Sequence, residues 1–188
     1  MNFCHTCGNQ VSLKIPDNDD RERYVCDNCG EIHYQNPRII VCTLPCHEDK
    51  ILLCRRAIEP RLGFWTLPGG FMENDETTLE GATRETMEEA CARIKIHGLY
   101  TLFNLPHINQ VHLFYRSSLL YLDYAAGAES LEVELFRQDE IPWGEIAFPA
   151  VGNTLELYFR DLVQGEFPVR SADVLITDDG KRYIKPHH

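Results

Sequence analysis

Apolar residues fall in short, β-rich runs along most of the chain and recur at helical spacing in only two places. Arg38–Leu44 and Lys50–Arg56 are such runs, and the intervening Pro45-Cys46-His47-Glu48-Asp49 predicts a hairpin between them. Arg93–Phe103, Val111–Tyr124 and Glu129–Phe136 alternate or run apolar in the manner of sheet strands. Leu155, Tyr158, Phe159 and Leu162 recur with a helical period, and Gly165 follows as a stop signal. A further hairpin is expected across Val174–Ile184, around Asp179-Gly180. The second helical stretch carries Leu79, Ala82, Thr83, Thr86 and Ala90 on the face expected to pack. Strands mixed with two helices predict an α/β fold with a sheet covered on both faces.

The other face of that helix is acidic. Glu85, Glu88 and Glu89 lie at offsets of three and four residues, which gathers them within about a quarter to a third of the circumference. Like charges so spaced repel by a few tenths of a kcal/mol per pair. A hard divalent cation with oxygen ligands is the natural counter-charge. Trp65-Thr66-Leu67-Pro68-Gly69-Gly70 precedes the helix, and its two glycines permit close backbone approach to phosphate or metal.

The eight cysteines do not read as disulfides. Cys4-x-x-Cys7, eighteen residues, then Cys26-x-x-Cys29 is the spacing of two knuckles around a tetrahedral Zn2+. Gly8 and Gly30 follow the knuckles where the backbone must turn tightly. Cys42, Cys46, Cys54 and Cys91 are expected as small core hydrophobes. Residues 1–37 are therefore assigned to a zinc ribbon, 38–165 to a main domain and 166–188 to a C-terminal extension. A net charge of −11 disfavours nucleic acid and anionic membranes as partners. The ribbon itself is net −3, with three basic side chains against six acidic ones. No apolar run is long enough to span a bilayer, and Met1 stands three residues before Cys4, so a cytoplasmic location is expected. Two histidines, His187 and His188, close the chain.

Gly70, five residues, Glu76, seven residues, then Arg84-Glu85-x-x-Glu88-Glu89 resembles the Nudix box, G-x5-E-x7-R-E-U-x-E-E-x-G-U. Two positions depart: Thr86 replaces an aliphatic residue and Cys91 the final glycine. With Cys91 there, either the helix runs on or the residue adopts a strained left-handed conformation at about 1 kcal/mol. The resemblance implies an α/β/α sandwich with a mixed sheet and hydrolysis of a nucleoside diphosphate linked to a group X, using Mg2+ or Mn2+. It implies Glu85 and Glu89 as principal metal ligands, Glu88 assisting, Arg84 orienting the carboxylates with Glu76 behind it, and a late loop glutamate, Glu132 with Glu129 in reserve.

Beyond the box, Cys4–Cys29, Tyr34-Gln35-Asn36-Pro37, Leu53-Cys54-Arg55-Arg56, Trp65–Pro68 and Glu129-Ser130-Leu131-Glu132 are similar to the zinc-ribbon Nudix group that includes FAD/ADP-ribose pyrophosphatases. The substrate so implied is ADP-ribose or FAD, releasing AMP. NADH pyrophosphatase activity (or NAD-cap removal) is the alternative, and Asn104–Gln110 departs from the Ser-Gln-Pro-Trp-Pro-Phe-Pro stretch of that group. An ADP-ribose sensor without catalysis is a third reading, and a homodimer is expected. Arg55 is the candidate phosphate ligand, since strand alternation lets only one of Arg55 and Arg56 face the site. Trp65 is the candidate stacking ring. Tyr34, Phe114 and Tyr115 suit either stacking or core packing. His107 and His112 are expected as loop or strand residues without a ligand role.

Overall fold

Alternation along Arg38–His47 (β4) and Lys50–Arg56 (β5) sends successive side chains to opposite sides of one sheet. Leu44, Ile51 and Leu53 enter a core that includes Leu155, Tyr158 and Phe159, whereas Leu52 and Cys54 pack with Ala90, and Val41 with Ala82. Both strands are thus buried on both faces, which is why they read as continuous apolar runs. The computed structural model describes residues 1–187, so His188 lies outside the described residues. The chain divides into two compact units, Met1–Pro37 and Arg38–His188.

The first unit is a three-stranded antiparallel sheet of Val11–Lys14 (β1), Arg23–Cys26 (β2) and Ile32–His33 (β3). Gly8 and Gly30 hold φ of 73° and 75°, and their amides donate back to the carbonyls of Cys4 and Cys26 at 2.9 and 3.0 Å. Each knuckle is thereby closed into a turn that presents its thiols together.

In the second unit β4 and β5 are followed by Trp65–Thr66 (β6), Gly69–Phe71 (β7), helix Thr78–Ala90 (α1), Ile94–Leu105 (β8), Gln110–Leu119 (β9), Ser130–Phe136 (β10), helix Pro149–Gln164 (α2), Arg170–Ile176 (β11) and Arg182–Pro186 (β12). The sheet order is β10-β5-β4-β9-β8-β11-β12, with β6 on β5 and β7 on β4. β4 runs parallel to β9 and β8 parallel to β11, and the other pairs are antiparallel. A mixed sheet with a helix on each face is the expected α/β/α sandwich. The β4–β5 turn is tighter than predicted, with His47 paired to Lys50.

Both helices are pinned to the sheet by paired threonines. Thr86 of α1 meets Thr43 of β4 at 2.6 Å, and Thr154 of α2 meets Thr101 of β8 at 2.8 Å. Each helical hydroxyl also bonds the carbonyl one turn back, Ala82 or Ala150, so all four threonine hydroxyls are paired. The threonine that departs from the aliphatic consensus is therefore a satisfied core residue.

The structure corrects several expectations. Leu79 and Thr83 are exposed, because the buried stripe of α1 runs through Gly81, Ala82, Thr86, Glu89 and Ala90 instead. Cys91 is exposed and left-handed at φ 48°, so the helix stops there and its amide donates to Met87. Residues 166–187 carry the expected hairpin and add it to the main sheet. β11 joins β8 in the main sheet and buries Ala172 and Val174, and the hairpin around Gly180 adds β12 at the edge.

Candidate active site

Two glycines bring the backbone against the acidic helix. A Cβ on Gly69 would lie 2.6 Å from the Cα of Cys42, and one on Gly70 would lie 2.5 Å from Oε2 of Glu85. At Gly69 backbone atoms leave no room for a side chain, and at Gly70 one would displace the Glu85 carboxylate. That closeness lets the Gly69 amide donate to Oε2 of Glu89 at 3.0 Å. The start of α1 is fixed by a reciprocal cap: the Glu80 amide donates to the Thr77 hydroxyl, and the Thr77 amide donates to the Glu80 carboxylate.

Arg84 organises the remaining acids. Its Nε and Nη2 donate to Glu76 at 3.0 and 2.8 Å, its Nη1 to Glu85 at 2.8 Å and Glu88 at 3.0 Å, and its Nη2 also to the carbonyl of Phe71 at 3.1 Å. The bidentate bond from Arg84 draws Glu76 down to about 2. Glu89 has no such partner. Burial pushes it up to about 7 against the pull of the Gly69 amide, with Glu85 and Glu129 adding to the rise. Burial also raises Glu85, opposed by Arg84. Glu88 is largely exposed. Two carboxylates raised by desolvation and one shared guanidinium make a site that favours an added cation.

These groups wall a cavity of about 970 Å3, near the top of the usual range of roughly 300–1,000 Å3 for ligand pockets. Gly69, Gly70, Arg84, Glu85, Glu88, Glu89 and Glu129 line it, together with Arg56, Arg61, His107, His112, Phe148 and Arg182. Residues 120–129 wrap the C-terminal end of α1, where the amides of Ala125 and Gly127 donate to the carbonyls of Ala90 and Glu89 at 2.9 and 3.0 Å. This wrap carries Glu129 to the cavity.

In the first unit the sulfurs of Cys4, Cys7, Cys26 and Cys29 converge within 4.8 Å of one another. Asn9 hydrogen-bonds the Cys7 thiol and, through its backbone first, draws it down to about 6. Soft thiolates at this spacing suit a tetrahedral zinc ion.

A zinc-ribbon model described as Nudix N-terminal matches residues 2–35, and the NUDIX domain model matches residues 36–150. The chain belongs to the NUDIX family. It is a Nudix pyrophosphohydrolase with an N-terminal ribbon. It is 28% identical over 141 residues to an ADP-ribose pyrophosphatase of Methanocaldococcus jannaschii, covering 72% of this chain and 78% of that protein. It is 29% identical over 174 residues to the NAD-capped RNA hydrolase NudC of Edwardsiella ictaluri, covering 86% of this chain but only 60% of the relative's length. A solved NUDIX hydrolase from Nitrosomonas europaea superposes with a TM-score of 0.88 at 50% identity, covering 92% of this chain and 99% of that one.

Three expected site residues lie elsewhere in this Nudix fold. Trp65, Arg55 and Glu132 occupy one ladder row across β6, β5 and β10. Arg55 bonds the Gly63 carbonyl at 2.9 Å and Glu132 at 3.1 Å, while Trp65 is buried edge-on against Phe136. None of them lines the cavity. Arg56, one residue on, turns to the cavity and to Glu89, and lies over the Phe148 ring at 5.2 Å. Phe114 is fully buried and Tyr115 bonds Thr78, so both are packing residues. Tyr34 is exposed under Arg23. His107 and His112 line the cavity after all, and burial depresses His112 to about 4. A strand position with no ligand spacing gave no signal for this.

Proposed function

We propose that the chain hydrolyses the pyrophosphate bond of ADP-ribose or FAD, releasing AMP, with Mg2+ or Mn2+ held by Glu85 and Glu89. The observation that carries this reading is the buried, raised Glu89 beside Glu85, both facing the cavity while Arg84 restrains Glu85 and Glu88. Carboxylate oxygens suit hard divalent cations, which when bound neutralise the diphosphate oxygens and lower the pKa of a coordinated water. Arg84 orients Glu85 and Glu88 and keeps Glu76 ionised. The Gly69 amide fixes one oxygen of Glu89 and leaves the other for the cation. Arg56 neutralises a phosphate oxygen, and Glu129, in place of Glu132, accepts the proton from the attacking water. The four cysteines hold zinc, and the ribbon's role is structural.

The archaeal relative, matched over most of its length and named for ADP-ribose, supports the first substrate. The second reading is cleavage of NADH or an NAD cap, favoured by the NudC relatives, of which this chain spans little more than half. Incubating the purified protein with Mg2+ and ADP-ribose, FAD, NADH and NAD-capped RNA separates the two. Turnover of ADP-ribose or FAD above the others is expected. Preference for NADH or capped RNA would install the second reading, and binding of ADP-ribose without turnover would install a sensor.

A further inference from the structure

The cavity runs across the sheet rather than into it. Ile40 of β4 faces His112 of β9, while Leu105 of β8 and Val174 of β11 lie two positions further along their strands than the row that faces His112, so the lining crosses the sheet in an oblique band. Arg182, at the start of β12 and paired with Ile176, closes the band. Gly69 and Gly70 sit on β7, which pairs with β4. From β4 to β12 the sheet order takes four steps, or roughly 19 Å at about 4.8 Å per step. The two phosphates of one diphosphate held at the carboxylate wall do not extend that far.

Arg61 lines the same cavity, and both arginines also line a second cavity of about 720 Å3 that shares Phe148 and Pro149. Among the described residues neither guanidinium has an ion pair or a side-chain hydrogen bond; Arg61 lies only over the Phe64 ring at 5.1 Å. Glu59 lines the cavity too, without pairing to either. In a chain of net charge −11 this contrasts with Arg84, which is filled by carboxylates in the same cavity. A guanidinium free of carboxylates presents a fork that matches phosphate oxygens.

We propose that Arg182, with Arg61, forms a metal-independent anion subsite for a phosphate monoester carried on the substrate away from the scissile diphosphate. The preferred substrates are then nucleoside diphosphate derivatives bearing a further phosphate. β12 lies beyond the residues matched by the NUDIX domain model and Arg61 lies within them, so the subsite joins the C-terminal hairpin to the matched domain. The inference rests on the pyrophosphohydrolase reading and refines its substrate class.

The test compares ADP-ribose with its 2′-phosphate and its 1″-phosphate, the two arms placing the extra phosphate on the adenosine or on the X side. In Mg2+, one phosphorylated form is expected to show a KM at least about tenfold lower than ADP-ribose with kcat within twofold. Arg182→Ala should erase that difference while leaving turnover of ADP-ribose unchanged, and Arg182→Lys should restore part of it. Equal KM for all three compounds, or a preference that survives both Arg182→Ala and Arg61→Ala, overturns the subsite. Calorimetric titration of the same compounds without added Mg2+ or Mn2+ gives a readout independent of turnover. If none is hydrolysed, the ADP-ribose reading fails by itself. The subsite is then judged by whether the extra phosphate tightens binding in wild type and not in Arg182→Ala.

Discussion

The Gly69 amide and the Glu89 carboxylate meet at 3.0 Å, which ties the loop before α1 to the acid that stands deepest in the site. The bond is possible because Gly69 is pressed against Cys42 with no room for a Cβ. A backbone donor lowers the cost of ionising Glu89 without occupying its second oxygen. Burial still dominates and pushes Glu89 up to about 7.

That raised value fixes the sign of a pH effect. Protonated Glu89 is favoured in the folded state, so its contribution to stability is complete below the ordinary carboxylate range and is lost as pH rises through about 7. Metal binding requires the ionised form and moves the other way. Between about pH 5 and pH 8 the metal-free protein should lose melting temperature relative to Glu89→Gln, while Mn2+ affinity of the wild type rises. Differential scanning fluorimetry and Mn2+ titration across that range check both halves. A flat difference between the two proteins would contradict the assignment.

Arg84 is predicted to tolerate no conservative exchange. Lysine cannot make the two-pronged bond to Glu76 while also reaching Glu85 and Glu88. Arg84→Lys should reduce divalent-metal affinity or kcat by about 10–100-fold, measured by Mn2+ titration and steady-state kinetics. A loss under threefold would show that the carboxylates orient themselves.

The fold was legible where period and spacing carried it. Both helices, strands β4, β5, β8, β9 and β10 and the cysteine knuckles follow from apolar alternation, helical recurrence and the C-x-x-C pairs. The carboxylates were legible because a helix fixes the geometry of residues three and four apart. Strand facing was not. Arg55, Trp65 and Glu132 stand off the cavity together because they share one ladder row, and a single choice of face at Arg55 settles all three. Arg56 has the parity of Leu52 and Cys54, which pack with Ala90 of α1; that parity was present in the sequence, but the face needed was not. Arg182 and His112 reach the cavity only through long-range pairing of β8, β9, β11 and β12, which no local pattern encodes.

Glu129 and Glu132 make a controlled pair for testing that correction. Glu129 lines the cavity beside Glu85 and Glu89, whereas Glu132 is 55% exposed and engaged with Arg55. Glu129→Gln should lower kcat by about 100-fold, and Glu132→Gln should stay within twofold. The reverse ranking would return the catalytic role to Glu132.

Gly127 sets the position of Glu129. A Cβ there would lie 1.7 Å from the carbonyl oxygen of Glu88. Gly127→Ala must therefore lift the 120–129 segment off the end of α1, destabilising the protein by about 1–3 kcal/mol and reducing kcat as Glu129 withdraws. Denaturant unfolding and kinetics report the two effects. An unchanged midpoint would mean the wrap is not held against the helix.

The ribbon should depend on its metal. Cys26→Ser removes one of four converging thiols, and about one equivalent of bound zinc should be lost. Elemental analysis reads the zinc, and limited proteolysis should then cut within residues 1–37 first. Retained zinc would point to a different ligand set.

The central claim, that Glu85 and Glu89 carry the divalent cation that cleaves the pyrophosphate, is tested most directly by the turnover of Glu89→Gln in saturating Mg2+ with its folding followed by thermal melting. The account predicts a fall in kcat of about a thousandfold or more with a cooperative melt retained. Activity within threefold of wild type would contradict it.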